Sequence, residues 1–166
     1  MAPFLCRTIP YKYNEEKGTY KVLVISAQKK SKGYLFPKGG WEVDEDISKA
    51  AARETKEEAG VRGVLQGRIT NLSIAGVEEK LGEYPHGNKA VVHMFPLQVD
   101  EQMCCWSEIF IRKRKWVSVE EAARLLHHDY MRTALEELAG RWNQDATPGA
   151  YTEPYSPEGA GDQEIY

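Results

Sequence analysis

Residues 36–61 read FPKGGWEVDEDISKAAARETKEEAGV. Its second half is rich in helix-forming residues. Asp44 or Asp46 can cap the N-terminus of a helix and Gly60 can end it, so the pattern predicts a helix over residues 47–59. A run of three alanines in its first half would let this helix approach a sheet closely.

The last turns of this helix crowd several carboxylates onto one face. Glu54, Glu57 and Glu58 are spaced i, i+3 and i+4, and like charges at that spacing weaken a helix. Glu45 precedes the helix and can fold back beside them. Arg53 can pair with Glu57, but one cation does not neutralise the group. Clustered carboxylate oxygens are what a hard divalent cation such as Mg²⁺ binds, so the pattern predicts a metal site.

The order of these residues also matches a known motif. Gly39, five residues, Glu45, seven residues and then RETKEEAGV at 53–61 resemble the Nudix box, G-x5-E-x7-R-E-U-x-E-E-x-G-U. Thr55 stands where a bulky apolar residue is usual. The resemblance implies an α/β fold, the Nudix α/β/α sandwich with a mixed β-sheet between helices, over residues 1–142.

The resemblance also implies roles for the residues of the motif. The implied cofactor is Mg²⁺, with Mn²⁺ as the alternative. Glu57 is implied to be either a ligand or the base that activates water, Arg53 to orient the glutamates, and Glu45 to be an outer contact or a ligand of a third ion. The implied metal ligands are Glu54, Glu57, Glu58 and the backbone carbonyl of Lys38.

The rest of the chain predicts a mixed sheet that is covered by helices on both faces. A tight turn is expected at 38–40, and a long loop rich in Gly and Pro at 78–88 is of the kind that often carries function. Strands are predicted at 19–26, 34–37, 61–76, 89–99 and 110–119, and two further helices at 119–126 and 130–142.

Composition limits the class and the cellular location of the protein. The 166 residues are 42% apolar and 28% charged, which is typical of one globular domain. No apolar run reaches the length of a membrane span, and residues 1–10 lack the layout of a signal peptide. Three cysteines give neither a disulfide framework nor a zinc pattern. We expect a cytoplasmic and possibly nuclear protein, or alternatively a secreted effector that acts in a host cytosol.

The C-terminal segment, residues 143–166, differs from the rest of the chain. It holds five acidic residues, no lysine or arginine, and several prolines and glycines, and it shows no hydrophobic period. This composition predicts a disordered, solvated tail.

Residues outside the motif indicate a substrate. Residues 36–42, 57–63 and 111–116 are similar to segments of the diphosphoinositol polyphosphate phosphohydrolases of fungi and plants. The resemblance implies removal of the β-phosphate of an inositol pyrophosphate, which leaves inositol hexakisphosphate and phosphate. Such a ligand carries charge in all directions and needs cations from several loops. The expected substrate contacts are Lys29, Lys30, Lys32, Lys38, Gly39, Gly40, Lys89, Arg112 and Arg114.

Other functions stay open at this point. Tyr84, Trp106 and Tyr130 can stack on a base, as an enzyme acting on a dinucleoside polyphosphate such as Ap5A or Ap6A, or on an mRNA cap, would need. A non-catalytic binding module is disfavoured because every glutamate of the motif is kept. His93 alternates into an apolar strand and is expected to be a core residue. The expected partner is a small-molecule polyphosphate, with no membrane and no specific nucleic acid, and the oligomeric state is open.

Overall fold

The computed structural model describes residues 4–28, 33–40, 44–69 and 91–144. Within these ranges seven strands form one sheet, and three helices pack against it. The strands are β1 (Phe4–Asn14), β2 (Thr19–Ser26), β3 (Tyr34–Leu35), β4 (Lys38–Gly40), β5 (Val61–Leu65), β6 (Val91–Gln102) and β7 (Arg114–Ser118). The helices are α1 (Ile47–Ala59), α2 (Val119–Leu125) and α3 (Asp129–Gln144).

The sheet is mixed, as predicted. Its order is β3-β2-β1-β6-β5, with β4 also pairing with β1 and β7 with β2. The β1–β6 pair is parallel, whereas the other pairs are antiparallel. Strand β1 pairs with β2, β4 and β6, so it lies at the centre of the sheet.

Alternation along β1 shows that helices cover both faces of the sheet. Cys6 packs with the buried alanines of α1, and the Thr8 hydroxyl lies 2.6 Å from that of Thr55 in the same helix. Tyr11 contacts Trp142 of α3, with ring centroids 5.0 Å apart. Because residues of opposite parity point to opposite faces of a strand, α1 and α3 lie on opposite faces. The predicted α/β/α sandwich is therefore confirmed.

Helix α1 follows the prediction closely. Asp46 is the N-cap, and its carboxylate accepts a hydrogen bond of 2.7 Å from the Ser48 N–H. Gly60 ends the helix with φ 65°, the left-handed conformation that glycine adopts without a steric penalty. Ala50 and Ala51 are buried against the sheet. The cap, the small residues and the terminal glycine together fix the register of the helix that carries the carboxylates.

Several predicted elements need correction. The expected tight turn at 38–40 is wrong, because these residues form β4 and pair with residues 5–7 of β1. The strand expected at 110–119 begins only at 114, since residues 107–111 form turns. The strand expected at 34–37 covers only two residues, and that at 61–76 ends at 65, with residues 70–76 outside the described ranges.

The other helices agree with the prediction. Helix α2 starts directly after β7, and α3 buries the apolar stripe Met131, Leu135, Leu138 and Trp142. The loop at 78–88 and residues 145–166 of the predicted tail lie outside the described residues. No helix in the described part of the chain is long and apolar enough to cross a membrane.

Candidate functional site

In strand β4, the main chain of a glycine lies against the Glu54 side chain of α1. A Cβ atom at Gly39 would lie 1.8 Å from both Cγ and Cδ of Glu54. Glycine alone therefore lets the Glu54 side chain lie across this strand. At the neighbouring Gly40, a Cβ would meet nothing within 4 Å. The two glycines differ sharply: one forms a cradle for Glu54, and the other faces open space.

Glu58 is the buried carboxylate of the site, with 7% of its surface exposed. Its Oε2 accepts a hydrogen bond of 3.0 Å from the backbone N–H of Lys38, and its Oε1 lies 3.2 Å from Nη2 of Arg112. Burial raises the pKa of Glu58 to about 7, although the Lys38 N–H and the Arg112 charge act to lower it. The hydrogen bond and the positive charge beside Glu58 therefore do not fully offset the cost of burying its ionised carboxylate.

Arg53 ties the other acidic residues together. Its Nε and Nη2 lie 3.0 and 3.1 Å from the two carboxylate oxygens of Glu45, and its Nη1 lies 2.8 Å from Oε1 of Glu54. The hydrogen bonds that Arg53 donates to Glu45 and Glu54 raise the pKa of Arg53 above its ordinary value. The prediction that Glu45 folds back beside the helix is confirmed, and Arg53 orients two carboxylates at once.

The third carboxylate on this face, Glu57, is open to solvent. Its side chain is 44% exposed, and one of its oxygens lies 3.7 Å from Nη1 of Arg53. Glu54 is more enclosed, and burial raises its pKa. The three carboxylates therefore form a gradient from the buried Glu58 to the exposed Glu57.

Residues 103–114 grip the C-terminal end of α1, and we call them the helix clamp. Trp106 donates its indole N–H to the Glu58 carbonyl at 3.1 Å, and the Glu108 N–H donates to the Glu57 carbonyl at 3.1 Å. Arg114 donates from Nη1 to the Ala59 carbonyl at 3.0 Å, with its guanidinium 3.9 Å from the Trp106 ring centroid. The clamp satisfies carbonyls that a helix end otherwise leaves without partners.

The two predicted substrate arginines lie in this clamp. Arg112 precedes β7 and is buried; its Nη1 donates to the Ser26 carbonyl at 3.0 Å, and its side chain also lies 3.6 Å from Glu108. In the strand predicted at 110–119, alternation would place Arg112 and Arg114 on one face. This expectation is wrong, because β7 begins at Arg114 and Arg112 lies before it. The guanidinium groups of Arg112 and Arg114 instead form hydrogen bonds within the protein, beside helix α1.

The remaining predicted contacts divide into two groups. Lys38 and Gly39 lie beside Glu58 and Glu54, and the Gly40 carbonyl accepts a hydrogen bond of 3.3 Å from Arg53. The other predicted contacts, which are Lys29, Lys30, Lys32 and Lys89, lie outside the described residues. The structure therefore brings together the part of the predicted site that surrounds the carboxylates.

The aromatic and histidine candidates have packing roles where they are described. Trp106 belongs to the clamp, and the ring of Tyr130 lies 5.8 Å from the buried guanidinium of Arg7. His93 has its Nδ1 3.0 Å from Nη1 of Arg68, and burial followed by the Arg68 charge lowers its pKa. His93 is therefore half-buried with a hydrogen-bonding partner, and the expectation that it is a core residue is wrong. Tyr84 lies outside the described residues.

Two hydrogen bonds explain the residue that departs from the Nudix motif. Thr55 is buried and donates its hydroxyl to the Ala51 carbonyl at 2.7 Å, which leaves its oxygen to accept from Thr8 at 2.6 Å. A polar residue at this position is thus paired with a polar residue of β1. In the sequence, only the threonine at this motif position indicated a polar contact, and nothing identified Thr8 as its partner.

The carboxylates do not converge on one point as they stand. In the described part of the chain no three His, Cys, Asp or Glu side chains form a group that could hold an ion, and Arg53 and Arg112 engage Glu54 and Glu58. The donor set nevertheless fits a hard cation, because it consists of carboxylate oxygens beside a main-chain strand. The raised pKa values of Glu54 and Glu58 indicate that additional positive charge would stabilise both.

This architecture defines a class of protein: a mixed sheet between helices, with a glycine-containing strand and an acidic helix that is clamped at its end. Residues 8–138 match the model of the NUDIX domain. The chain belongs to the NUDIX domain family, as the motif at residues 39–61 predicted.

Known proteins extend this assignment. The chain is 47% identical over 139 residues to "Nudix hydrolase 21, chloroplastic" of Arabidopsis thaliana, a match that covers 80% of this chain but only 64% of that relative. It is 32% identical over 142 residues to diphosphoinositol polyphosphate phosphohydrolase 3-alpha of Mus musculus, covering 83% of this chain and 79% of that protein. The crystal structure of Ap4A hydrolase of C. elegans has the same fold, with a TM-score of 0.63 at 20% identity over 85% of this chain and 98% of that one.

Proposed function

We propose that this protein hydrolyses a pyrophosphate bond with the help of a divalent ion, Mg²⁺ or Mn²⁺. The observation that carries the proposal is the carboxylate face of α1, where Glu54 lies against Gly39 and Glu58 is buried beside the Lys38 N–H. A solvated acidic face would need neither a glycine cradle nor a buried carboxylate. The arrangement is suited to gathering a cation and the phosphates that the cation attracts.

The ion would be held by the carboxylates of Glu54 and Glu58 together with the carbonyl of Lys38. A bound divalent ion neutralises charge on the phosphates and makes water more acidic. The arginines supply the orientation: Arg53 positions Glu54 through the contact of 2.8 Å, and Arg112 positions Glu58 through the contact of 3.2 Å.

Glu57 is the residue that we assign to proton transfer. Its side chain is the most exposed of the three carboxylates, and its contact with Arg53, at 3.7 Å, is the longest of that arginine's contacts with the acidic group. An accessible carboxylate can accept the proton that the attacking water loses as it bonds to phosphorus. The clamp fixes the helix at this point, since the Glu57 carbonyl accepts from the Glu108 N–H.

The Gly39 cradle gives a sharp test of this site. Gly39→Ala would place a methyl group 1.8 Å from Cγ and Cδ of Glu54, so the side chain must leave its position. Because a flexible side chain moves rather than the backbone, we expect the melting temperature to change little. We expect kcat/KM to fall on the order of 10²-fold, which is typical for the loss of one oriented electrostatic group.

The matched control is the next residue. Gly40→Ala adds the same methyl group where nothing lies within 4 Å, and it should retain nearly full activity. Circular dichroism melts and Mg²⁺-dependent phosphate release are measured on both variants. Equal loss of activity in the two variants would contradict a specific role for the contact between Gly39 and Glu54.

The substrate that we propose is an inositol pyrophosphate, from which the enzyme would remove the β-phosphate. Two observations support this choice: the similarity of residues 36–42 and 57–63 to the diphosphoinositol polyphosphate phosphohydrolases, and the 32% identity to a mouse protein that bears this name. A ring that carries many phosphates requires several separate cations. Since Arg112 contacts Glu58 and Ser26, we assign that requirement chiefly to Lys29, Lys30 and Lys32.

A dinucleoside polyphosphate is the second candidate, and one observation favours it. Phe110 is 96% exposed, and it lies in the turn whose Glu108 N–H is bonded to the Glu57 carbonyl. An exposed aromatic ring so close in sequence to an anchor of the acidic helix is a platform on which a base can stack. Initial rates with Mg²⁺ for diphosphoinositol pentakisphosphate, Ap5A, Ap6A, ADP-ribose and capped RNA, expressed as kcat/KM, distinguish the candidates.

A triple substitution tests the choice of inositol substrate. Lys29→Ala, Lys30→Ala and Lys32→Ala together should raise KM for diphosphoinositol pentakisphosphate by about tenfold or more, since each exposed contact contributes up to about 1 kcal/mol and separate contacts add. KM for ADP-ribose should rise much less. Affinity for the inositol substrate should also fall with added salt, because exposed charges are screened.

The control triple variant has the same change in net charge. Its lysines lie in the last part of β1, in the turn that follows and in the first part of β2, away from the segment that follows β2. It combines Lys12→Ala, Lys17→Ala and Lys21→Ala, and it should leave KM for both substrates nearly unchanged. If the first triple variant weakens both substrates equally, the three lysines attract phosphates generally and do not select inositol. If the wild type prefers a nucleotide, the inositol proposal is overturned, whereas the proposal of pyrophosphate hydrolysis stands.

The cellular location remains a proposal. We propose a cytoplasmic enzyme on the basis of the composition and the free thiols at Cys6, Cys104 and Cys105. The Arabidopsis relative is named chloroplastic, which differs from this proposal. Fractionation of cells that express the natural protein would decide between the two.

A further inference from the structure

A cavity lies at the end of the sheet away from the carboxylates. Its volume is about 400 Å³, within the range of small-ligand and peptide sites. The turn between β1 and β2, the start of α2 and the end of α3 form its walls. Its lining includes Tyr13, Tyr20, Lys21, Ser118, Trp142 and Asn143, and we call it the terminal groove.

A buried donor without a partner lines the terminal groove. Trp142 is 7% exposed, and its indole Nε1 has no hydrogen-bond partner among the described residues. Burying an N–H that lacks an acceptor is unfavourable, so such groups are normally paired. Within the described part of the chain, Trp142, in the wall of the groove, therefore lacks one hydrogen-bond acceptor for its indole N–H.

The packing of the rings excludes stacking on Trp142 as the means of binding. Trp142 already stacks on Tyr20, with ring centroids 3.9 Å apart and an interplanar angle of 2°. Tyr11 covers it at 5.0 Å, and Tyr13 contacts Tyr20 at 4.8 Å. Since both rings are used by their neighbours, a nucleobase has no open face here. An occupant must instead present an acceptor to a ring edge and apolar groups to the walls.

We propose that the terminal groove is the docking site of the chain's own residues 148–157, PGAYTEPYSP, with a main-chain carbonyl of that segment accepting from the Trp142 N–H. Aromatic-lined grooves bind proline-containing segments because such segments are extended and lose little entropy on binding. The segment holds three prolines and two tyrosines. These residues supply an acceptor carbonyl for the Trp142 N–H and apolar groups that can pack against the walls of the groove.

The position and charge of the C-terminal segment agree with this occupant. Asn143 lines the groove, and Pro148 follows it by five residues, a stretch of chain that reaches up to about 17 Å. Among the described residues, the charged side chains that line the groove are Lys21 and Glu120. Lys12 lies directly opposite Lys21 in the β1–β2 register, and like charges in that position are unfavourable. An acidic segment without lysine or arginine would relieve this repulsion.

Docking in the terminal groove would leave the carboxylate site open. Arg7 of β1 pairs in register with Lys38, beside Glu58, whereas Tyr13 of the same strand lines the groove six residues later. Six residues of a strand span about 20 Å. Docking should thus affect the environment of Trp142 and leave hydrolysis unchanged, which separates this proposal from the proposed function.

The test uses the full chain labelled with ¹⁵N and follows the indole N–H signals of its four tryptophans. Trp142→Phe assigns the Trp142 signal; if that variant does not fold, contacts with the stacked Tyr20 ring assign it instead. We expect Tyr151→Ala combined with Tyr155→Ala to shift the Trp142 signal and to speed its exchange with solvent by about tenfold or more. Phosphate release should stay at the wild-type rate.

The control is Tyr166→Ala, which makes the same substitution in the tail but outside the proposed segment. It should leave the Trp142 signal unchanged. An unchanged Trp142 signal in the double variant would overturn the proposal. A signal that moves upon roughly tenfold dilution of the wild type would overturn it as well, because the occupant would then be a second copy of the chain.

Discussion

Glu58→Gln and Glu54→Gln are each expected to lower Mg²⁺-dependent hydrolysis on the order of 10³-fold while the domain stays folded. Either change removes a charge that the proposed ion requires and keeps the size of the side chain. Loss of a single group that stabilises charge in a transition state commonly lowers rates by 10²–10³-fold. The measurement is phosphate release at saturating substrate over a range of Mg²⁺ concentrations.

Stability without metal provides the second readout for these variants. Burial raises the pKa of Glu58 from 4.5 to about 7, so its stabilising contribution is complete below about pH 4.5 and is lost as the pH rises through about 7. The metal-free wild type should therefore lose on the order of 3 kcal/mol from this group across that window. Glu58→Gln has no such titration and should melt at or above the wild-type temperature at pH 8.

Arg112 does not become isolated in Glu58→Gln. Its guanidinium still contacts the Ser26 carbonyl at 3.0 Å and Glu108 at 3.6 Å, so the variant should keep the clamp in place. Glu136→Gln, at an exposed position of α3, is the matched control and should change neither activity nor melting. Glutamine variants at 54 and 58 that hydrolyse substrate at nearly the wild-type rate would contradict the proposed metal site.

The part of the site on α1 could be predicted because its geometry is local. An Asp cap, three alanines and a terminal glycine fix the helix, and a spacing of three and four residues places Glu54, Glu57 and Glu58 on one face. The partner Glu45 lies only eight residues from Arg53, so it was also within reach of a pattern argument.

The partners of the buried carboxylate could not be predicted in the same way. Arg112 and Glu58 are 54 residues apart, and Lys38 and Glu58 are 20 apart. No periodicity connects such positions; only the folded sheet brings them together. A basic run at 112–115 resembles a solvated strand or a phosphate-binding strand, because sequence alone does not show which of its residues will be buried.

The central strand was missed for a similar reason. Strand β1 contains Arg7 and Pro10, which are both unusual in the interior of a sheet. Arg7 is almost completely buried and donates from Nη1 to the Phe36 carbonyl. Pro10 lies where β1 runs parallel to β6 and pairs in register with Leu97. Tertiary pairing on both edges of β1 thus overrides the local preferences of its residues.

The clamp and the acidic helix together suggest why an arginine lies under the site. Glu58 is buried, so its charge requires a partner whenever no ion is present. Arg112 supplies that partner from inside the protein, with 8% of its surface exposed. A lysine or arginine at the surface would serve less well, because exposed pairs are weakened by water and salt.

Arg112→Met is accordingly expected to destabilise the metal-free protein at pH 8 by about 1–1.5 kcal/mol, because Glu58, whose pKa is about 7, takes up a proton once the Arg112 charge is gone. Methionine fills a similar space without a charge, so the main effect is the isolation of Glu58. Denaturation by urea in the presence of EDTA measures the change. Arg62→Met is the control, because Arg62 is exposed and lies 3.9 Å from Glu101; it should cost less than about 1 kcal/mol.

The pH dependence of this variant follows from the same carboxylate. The Arg112 charge lowers the pKa of Glu58, so its removal should raise that pKa further above about 7. A group with a raised pKa in the folded state stabilises the fold below its unfolded value and loses that effect as the pH rises. The destabilisation by Arg112→Met should therefore be smaller at pH 5, where Glu58 is protonated, than at pH 8.

The double variant Arg112→Met with Glu58→Gln completes the test. It buries no charge at either position, and replacing a whole buried pair by neutral groups is often close to neutral for stability. We expect the double variant to recover most of the stability that Arg112→Met loses at pH 8. The opposite result would be additive losses of stability, with no recovery in the double variant and no difference between pH 5 and pH 8. In that case Arg112 stabilises the clamp through its other contacts, and Glu58 does not depend on the charge of Arg112.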